Sequence, residues 1–469
     1  MFEAQSRPRV FCTPLGADFS ASVVAGLQAR VPAATPEAMA RIEVIVATER
    51  MRRRLVALFA SQPAAILPRI TPVAQIADRP ELWDLPRTMS PLRLRLTLMG
   101  LIAGMGEAAP DLTAPAALYA MAGSLADLMA EMHEEGVGPD VIAALDTGDL
   151  AAHWQRSHAF LDIVAPYFTG DAPEFLPPEA RTALAVARLE RLWSAAPPAH
   201  PIIIAGSTGS RGTTARLMAA VARLPLGAVI LPGLDTDLPA SVWDRLAADR
   251  AGPSLGGEDH PQFRLGRFAA EMGYAAADIP AWDTQAPAVP ERNRWLSLAL
   301  RPAPVTDAWR REAPDLPDPQ AAFAAVTLVE APSPQAEATA IALRLRRAAE
   351  DGQRAALVTP DRRLARQVTA ALDRWRIVPD DSAGQTLDRT PPGTLLLLAA
   401  EALAGRIDAV ALMALLTHPL VAFGSDRAAH LRHARVLEQA LRADRVHPDP
   451  AAIVEWAAPE AKPWAEWLA

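Results

Sequence analysis

The sequence predicts an α/β fold built on parallel sheets, and a repeated pattern of strand, loop and helix is the main observation behind this prediction. Apolar, β-branched runs are followed by a polar loop and a helical apolar pattern in residues 9–31, 42–60 and 201–224. A further apolar run, "GAVILPG", follows at 227–233. Continuous Ile and Val runs joined through helices are typical of strands covered on both faces. We therefore expect these segments to share one parallel sheet.

The region between the second and third of these units predicts a large helical insertion. Residues 91–195 place apolar residues at the 3.6-residue spacing of amphipathic helices. The expected first α/β domain therefore consists of 1–90 and 196–315, interrupted by the helices of 91–195.

A second α/β domain is expected after a segment rich in Pro, Asp and Trp. We place the boundary near 315–325, because "AVTLVEAP" and "RAALVTP" have the composition of strands and each precedes a helical pattern. This domain is expected to start at 316 and reach 395, followed by a helical segment at 396–469. The sequence breaks off in an apolar helical pattern, which favours a truncated helical segment and a piece of a longer protein.

Composition limits the function classes. The chain has 469 residues, a formal net charge of −8 and one cysteine, Cys12. The negative charge argues against a uniformly basic nucleic-acid-binding surface but allows a local basic groove. A single cysteine excludes an internal disulfide, a cysteine-based zinc site and an iron–sulfur cluster held by this chain alone. No apolar run reaches the length of a membrane span, and charges interrupt the first residues where a secretory signal needs an apolar core, so we expect a cytoplasmic protein.

The segment "IIIAGSTGSRGTTARL" at 202–217 has the strand, Gly-rich loop and helix with which many proteins hold a nucleotide phosphate. A P-loop needs G-x-x-x-x-G-K-[ST], but counted from Gly206 the second glycine position holds Arg211 and the lysine position holds Gly212. The dinucleotide pattern G-x-G-x-x-G also fails, because Thr208 stands at its second glycine. Two interpretations remain: a site that takes a phosphate through backbone N–H groups, or a tight turn whose Ser and Thr residues cap the following helix.

The first strand-to-helix loop, "TPLGADFS" at 13–20, lies where an N-terminal phosphate loop would lie. It also lacks Gly-Lys-Ser/Thr, and we expect Asp18 or Ser20 to cap the helix that follows. Farther along, His430 and His433 are three residues apart in "HLRH". Two imidazoles without a nearby third ligand make a poor metal site, so we expect ordinary helix surface there.

A dense arginine cluster follows a predicted strand end in "VATERMRRRL" at 46–55. Thr48 is followed by Arg50, Arg52, Arg53 and Arg54. Each arginine can grip a phosphate through its planar fork, and ligands collect at the carboxyl edge of a parallel sheet. The alternative is a solvated polar face of an amphipathic helix.

Several segments, taken in their order along the chain, resemble the AddB family in its alphaproteobacterial type. AddB is the partner subunit of the AddAB helicase–nuclease. The resemblance rests on "VIVATERMRRRLVALF", "GSTGS", "LPGLDTDL" and "ALVTPDR" followed by "DDSAG", and it spans nearly the whole chain. It implies a superfamily-1, RecA-like helicase body that has lost its motor. The resemblance also implies a single-stranded-DNA contact through Thr48, Arg50, Arg53 and Arg54. The implied remnant of a nucleotide site consists of Gly206, Ser207, Thr208, Gly209 and Ser210.

The resemblance implies a non-motor, DNA-binding subunit that processes double-strand DNA ends for recombinational repair. Its implied partners are an AddA-type helicase–nuclease subunit and single- and double-stranded DNA ends. It implies no association with a membrane. The family's C-terminal nuclease domain, with acidic Mg ligands and a four-cysteine iron–sulfur site, is expected to be absent from this chain, so we expect neither a cofactor nor a catalytic residue here. An alternative function is a nucleotide-dependent α/β enzyme that uses the loop from Gly206 to Thr214.

Overall fold

The computed structural model describes most of the chain. The chain forms two compact units, Met1–Val326 and Thr327–Ala469. The described residues are 2, 7–31, 37–61, 66–104, 115–144, 174–248, 258–405, 408–424, 426–443 and 445–468.

The first unit is built around a five-stranded parallel sheet with the strand order β1-β7-β6-β2-β3, and two further short strands pair with each other. The strands are β1 (Val10–Pro14), β2 (Glu43–Val46), β3 (Arg69–Pro72), β4 (Arg87–Thr88), β5 (Phe175–Leu176), β6 (Ile202–Ala205) and β7 (Gly227–Leu234). The predicted α/β class is therefore confirmed, and the strands expected near 43–47, 202–206 and 227–231 lie in one sheet.

The described part of the first unit also contains helices, several of which flank this sheet. They are α1 (Phe19–Arg30), α2 (Glu37–Ala40), α3 (Glu49–Ala60), α4 (Pro91–Ala103), α5 (Pro115–Glu135), α6 (Pro139–Ala143), α7 (Pro178–Ala195), α8 (Gly212–Arg223), α9 (Ala240–Ala248), α10 (Phe263–Glu271), α11 (Pro290–Ala299), α12 (Ala308–Glu312) and α13 (Pro319–Phe323).

The sheet is buried on both faces, as its Ile and Val runs predict. Along β6, Ile203 faces the cluster that contains α1 and α3, whereas Ile202 and Ile204 face the cluster that contains α7 and α8. All three side chains are fully buried. Successive side chains of a strand point to opposite faces, so a run without polar residues requires cover on both sides.

The connections create two crevices at the carboxyl edge of the sheet. After β2 the chain turns to α3 on one face, and after the adjacent strand β6 it turns to α8 on the other. The chain also leaves the adjacent strands β1 and β7 toward opposite faces, to α1 after β1 and to α9 after β7. Such switch points between adjacent strands are where open α/β sheets bind ligands.

The inserted helices are present, but their last member belongs elsewhere. Helices α4 and α5 share a small core of their own. Helix α7 instead packs Leu189 and Trp193 into the core of the sheet, so assigning it to a separate insertion was wrong. Its apolar face looks like that of α4 or α5 in the sequence, and only the tertiary contacts distinguish them. The expected helices in 145–173 lie outside the described residues.

The second unit departs from prediction, because its described residues form helices but no strand. They are α14 (Pro334–Glu350), α15 (Arg362–Asp373), α16 (Pro391–Leu403), α17 (Ala409–Thr417), α18 (Arg427–Arg442), α19 (Pro450–Trp456) and α20 (Lys462–Leu468).

The α/β character expected at 316–395 is therefore not seen among the described residues. The two strand-like runs at 325–332 and 354–360 are extended but pair with no other strand of the described chain. Leu328 is 84% exposed and Val358 is 93% exposed. A strand is stable only when its backbone groups and both apolar faces find partners, and these runs have helices on one side at most.

The part of the chain that the structure describes contains no helix long and apolar enough to cross a membrane.

Candidate functional site

The two sequence-predicted groups of site residues converge at the carboxyl edge of the sheet, beside the crevice between β2 and β6. Gly206 ends β6 with φ at +80°, and a Cβ there would lie 2.6 Å from the Sδ of Met51. The left-handed backbone conformation strains any side chain at Gly206, and a Cβ there would also force the Met51 side chain to move. The first turn of α3 and the loop after β6 therefore lie against each other.

The first turn of α3 is held by a side-chain cap. Thr48 is its N-cap residue, and its hydroxyl accepts a hydrogen bond from the backbone N–H of Met51 across 3.2 Å. The hydroxyl hydrogen of Thr48 can still be donated to a ligand. Thr48 thus has a structural role, and this role leaves it available to a ligand.

The arginines after Thr48 differ in how firmly they are held. Arg52 donates to both carboxylate oxygens of Glu49, and these hydrogen bonds lower the pKa of that carboxyl group. Arg54 pairs with Asp18 of the neighbouring loop at 3.2 Å. Arg53 lies only within 4.0 Å of Glu49.

Two of the predicted DNA-binding arginines are the most open. The side chain of Arg53 is 65% exposed, whereas that of Arg54 is 35% exposed. Arg50 is exposed as well. The segment from Thr48 to Arg54 contains four arginines and one glutamate, so it is rich in positive charge.

The loop after β6 is a tight turn, but its own hydroxyls do not cap the next helix. Ser207 accepts a hydrogen bond from the N–H of Gly209 across 3.2 Å. Helix α8 begins only at Gly212, and its N-cap residue, Arg211, makes no side-chain cap. The expectation that Ser or Thr of this loop caps the helix is therefore wrong.

The cap of α8 comes instead from the end of α5. The Glu135 carboxylate accepts a hydrogen bond from the backbone N–H of Gly212 across 3.2 Å. The Thr213 hydroxyl donates to the backbone oxygen of Glu134 across 2.9 Å, and Arg211 forms an ion pair with the Glu134 side chain. A helix N-terminus attracts anions, and here two carboxylates of the same chain already occupy its surroundings.

The first loop behaves as the sequence predicts. Asp18 is the N-cap of α1 and accepts from the N–H of Ala21 across 3.1 Å. Gly16 supplies the left-handed turn that precedes it, with φ at +75°. Across this loop, Asn293 donates to the backbone oxygen of Leu15.

A cavity of about 400 Å³ opens at the crevice between β2 and β6, and we call it the edge cavity. It is lined by Ala47, Val73, Ala74, Glu134, Pro178, Glu179, Thr182, Ser207, Ser210, Arg211, Thr213 and Thr214. These lining residues include no lysine, and their single arginine is paired with a glutamate. Among the described residues, no group of three His, Cys, Asp or Glu side chains could hold a metal ion.

Sequence reasoning missed a buried ion network at the opposite, amino-terminal end of the strands. Glu43 opens β2, is 3% exposed, and pairs with Arg79 and, at 2.8 Å, with Arg69. Burial alone would raise the pKa of Glu43, but the two guanidinium groups bring it below its ordinary value. A single glutamate before "VIV" signals only a strand start, so nothing local in the sequence indicates its distant partners.

Neither the protein-family models nor the curated proteins compared with this chain match it.

Proposed function

We propose that this chain is a non-motor, DNA-binding subunit of a helicase-like fold, of the AddB kind, which acts on double-strand DNA ends in recombinational repair. The observation that carries the proposal is the basic first turn of α3 at the carboxyl edge of the parallel sheet. A RecA-like body requires such a sheet with helices on both faces, and that requirement is met in the first unit.

The geometry of α3 supports phosphate binding without sequence specificity. Arg50 and Arg53 are exposed at a helix start, where backbone N–H groups also favour anions. Arg52 and Arg54 are directed toward carboxylates and brace the turn. Contacts to phosphates position a nucleic acid but carry no sequence information, so the proposed binding is general for single strands.

The loops support the absence of a motor. Phosphoryl transfer depends on a lysine and a Mg²⁺-binding carboxylate that position and neutralise the phosphates. The loop at 13–20 lacks the lysine, and β6 ends in Gly206 and Ser207 rather than in carboxylates. Glu135 fills the start of α8, where a nucleotide phosphate would need free N–H groups.

The competing function, a nucleotide-dependent enzyme that uses the loop from Gly206 to Thr214, has less support. A phosphate there would meet Glu134 and Glu135 at close range, and like charges repel. The proposed complex instead supplies nucleotide chemistry through an AddA-type partner, while this chain holds DNA.

Two measurements on the purified protein test the proposal. Labelled single-stranded oligonucleotides of unrelated sequence should bind with similar affinity, and ATP with Mg²⁺ should not be hydrolysed, with or without DNA. DNA-stimulated ATP turnover that disappears on changing Ser207 and Ser210 would establish the enzyme instead. A lack of any oligonucleotide binding at low salt would reduce the chain to a structural adaptor.

A further inference from the structure

The edge cavity combines a size suited to small ligands with a negative lining. Its volume of about 400 Å³ falls in the range of small-molecule sites, roughly 300–1,000 Å³. It lies at a switch point of the sheet, between strands whose connections leave to opposite faces. The proposed DNA contact does not account for this cavity, which Ser207 and Ser210 of the implied nucleotide-site remnant help to line.

The charge in the edge cavity is unbalanced. Arg211, the only cation among its described lining residues, forms an ion pair with Glu134. The half-buried carboxylate of Glu179 forms no hydrogen bond or ion pair with the residues that the structure describes. A phosphate or another anion would face this uncompensated charge, whereas a cation would neutralise it.

Uncharged acceptors line the same cavity as the carboxylate of Glu179. The hydroxyls of Ser210 and Thr214 line the cavity and make no hydrogen bond with the described residues. The Thr182 hydroxyl donates to the backbone oxygen of Pro178 across 2.9 Å, so its lone pairs can accept. Val73 and the ring of Pro178 add an apolar wall.

We propose that the edge cavity binds a guanidinium group. A guanidinium is planar, presents donors in a fork that fits a carboxylate such as Glu179, and is weakly hydrated enough to lie against apolar atoms. Its remaining N–H groups match the hydroxyls of Ser210 and Thr214. The group could belong to a free small molecule or to an arginine side chain of a partner protein, because both present the same chemistry.

The alternative role for Glu179 is to stabilise the start of α7 without binding a ligand, and a second helix of the same unit provides a matched control for that role. Pro178 and Glu179 begin α7, and a carboxylate in a first turn favours a helix without any ligand. Pro290 and Glu291 begin α11 in the same way, outside the edge cavity. Replacing either glutamate removes the same charge from the same helix position, and only Glu179 lines the edge cavity.

Isothermal titration calorimetry of the whole chain tests the proposal with two probes, agmatine and the peptide acetyl-Gly-Arg-Gly-amide. At least one should bind with one-to-one stoichiometry, and the stronger probe identifies the source of the group. Glu179→Gln should weaken this binding about tenfold or more, since it removes hydrogen bonds to a charged partner. Glu291→Gln should leave it unchanged.

A third probe separates charge from shape. The citrulline analogue of the peptide keeps the planar group but is neutral, and it should bind much more weakly than the arginine peptide. The proposal is overturned if neither guanidinium probe binds at millimolar concentration, if Glu291→Gln weakens binding as much as Glu179→Gln, or if inorganic phosphate binds in competition with them.

Discussion

The carboxylate of Glu135 caps helix α8 by accepting a hydrogen bond from the backbone N–H of Gly212 across 3.2 Å. The two residues are 77 positions apart in the sequence, so the contact fastens the end of α5 to the loop after β6. The backbone N–H group at this helix start, which would suit a phosphate, therefore has its hydrogen-bond partner within the chain.

Removal of this cap should destabilise the first unit. We expect Glu135→Ala to lower the free energy of unfolding by about 1 kcal/mol, as removal of a side-chain cap commonly does. Urea denaturation measures the change. Glu131→Ala, on the same helix with an exposed side chain, is the control. Equal stability of both variants would show that the contact contributes nothing.

The buried ion network at the amino end of β2 should make stability fall in acid. The folded pKa of Glu43 is lowered relative to its ordinary value, so its contribution is present above the unfolded pKa, about 4.3, and disappears as pH falls through the folded value. We expect unfolding free energies measured from neutral pH to pH 3 to decline partly for this reason, and Glu43→Gln should flatten that decline.

At neutral pH, Glu43→Gln should also be costly in itself. It leaves the guanidinium of Arg79, which is 9% exposed, without its main counter-charge, and breaking a buried pair typically costs about 3–5 kcal/mol. Glu81→Gln removes a more exposed partner of the same arginine and should cost below about 1 kcal/mol. Similar costs for both variants would contradict the ranking by burial.

The only cysteine should be unreactive in the folded chain. Cys12 lies in β1, is 2% exposed, and burial raises its pKa to about 11. A thiol reagent reacts with the thiolate, so labelling with a chromogenic disulfide at pH 8 should be slow and should become fast in urea. Rapid labelling of the native protein would mean that β1 is not covered as described.

Helix α18 contains a histidine that should stabilise the second unit. His430 is 1% exposed; one ring nitrogen lies 2.7 Å from the Leu416 oxygen, and the other accepts from the Trp464 indole N–H across 3.0 Å. The expectation of ordinary helix surface was wrong for this residue. His430→Ala leaves a buried donor and a cavity, and we expect a decrease of about 2–4 kcal/mol in the free energy of thermal or urea unfolding.

Arg432→Ala provides a control on the same helix. The Arg432 side chain is 67% exposed and reaches Asp426 only at 4.0 Å. Its removal should change stability by less than about 0.5 kcal/mol. A comparable decrease in the two variants would assign the effect to the helix rather than to His430.

How far the sequence predicts the structure depends on how local the cause is. Ile203 and its neighbours predict a strand buried on both faces, and Asp18 predicts a helix cap. Both predictions succeed because the residues that determine the strand and the cap lie within a few positions of each other. The partners of Glu43 and His430 are far away in the chain, so nothing near either residue reveals them. Glu135 is the clearest case, because the loop before α8 has hydroxyls of its own that local reasoning favours as the cap.

The strand-like runs of the second unit show the opposite failure. Val358 and Leu328 have suitable neighbours in sequence for a strand, yet they remain exposed. The β-propensity of a segment describes how well it fits into a sheet. Whether the segment forms a strand depends on a neighbouring strand with which its backbone can form hydrogen bonds.

The proposed DNA contact makes the arginines of α3 unequal. Arg50 and Arg53 are exposed, whereas Arg54 is less exposed and pairs with the Asp18 that caps α1, so the sharpest variant is the double change Arg50→Ala and Arg53→Ala. Met51 still packs against Gly206 in this variant, and Leu55 stays buried, so the fold should persist. Arg264→Ala, which removes one exposed positive charge from α10, is the control for a general loss of charge.

The most direct test of a DNA-binding role is the affinity of this double variant for a labelled single-stranded oligonucleotide, titrated at several salt concentrations. The account predicts weaker binding than in the unchanged chain. It also predicts a salt dependence that is shallower by roughly 0.7 in slope for each phosphate that the variant no longer neutralises, with Arg264→Ala unaffected. Unchanged affinity and an unchanged slope in a variant of normal thermal stability would contradict it and leave α3 an ordinary solvated helix.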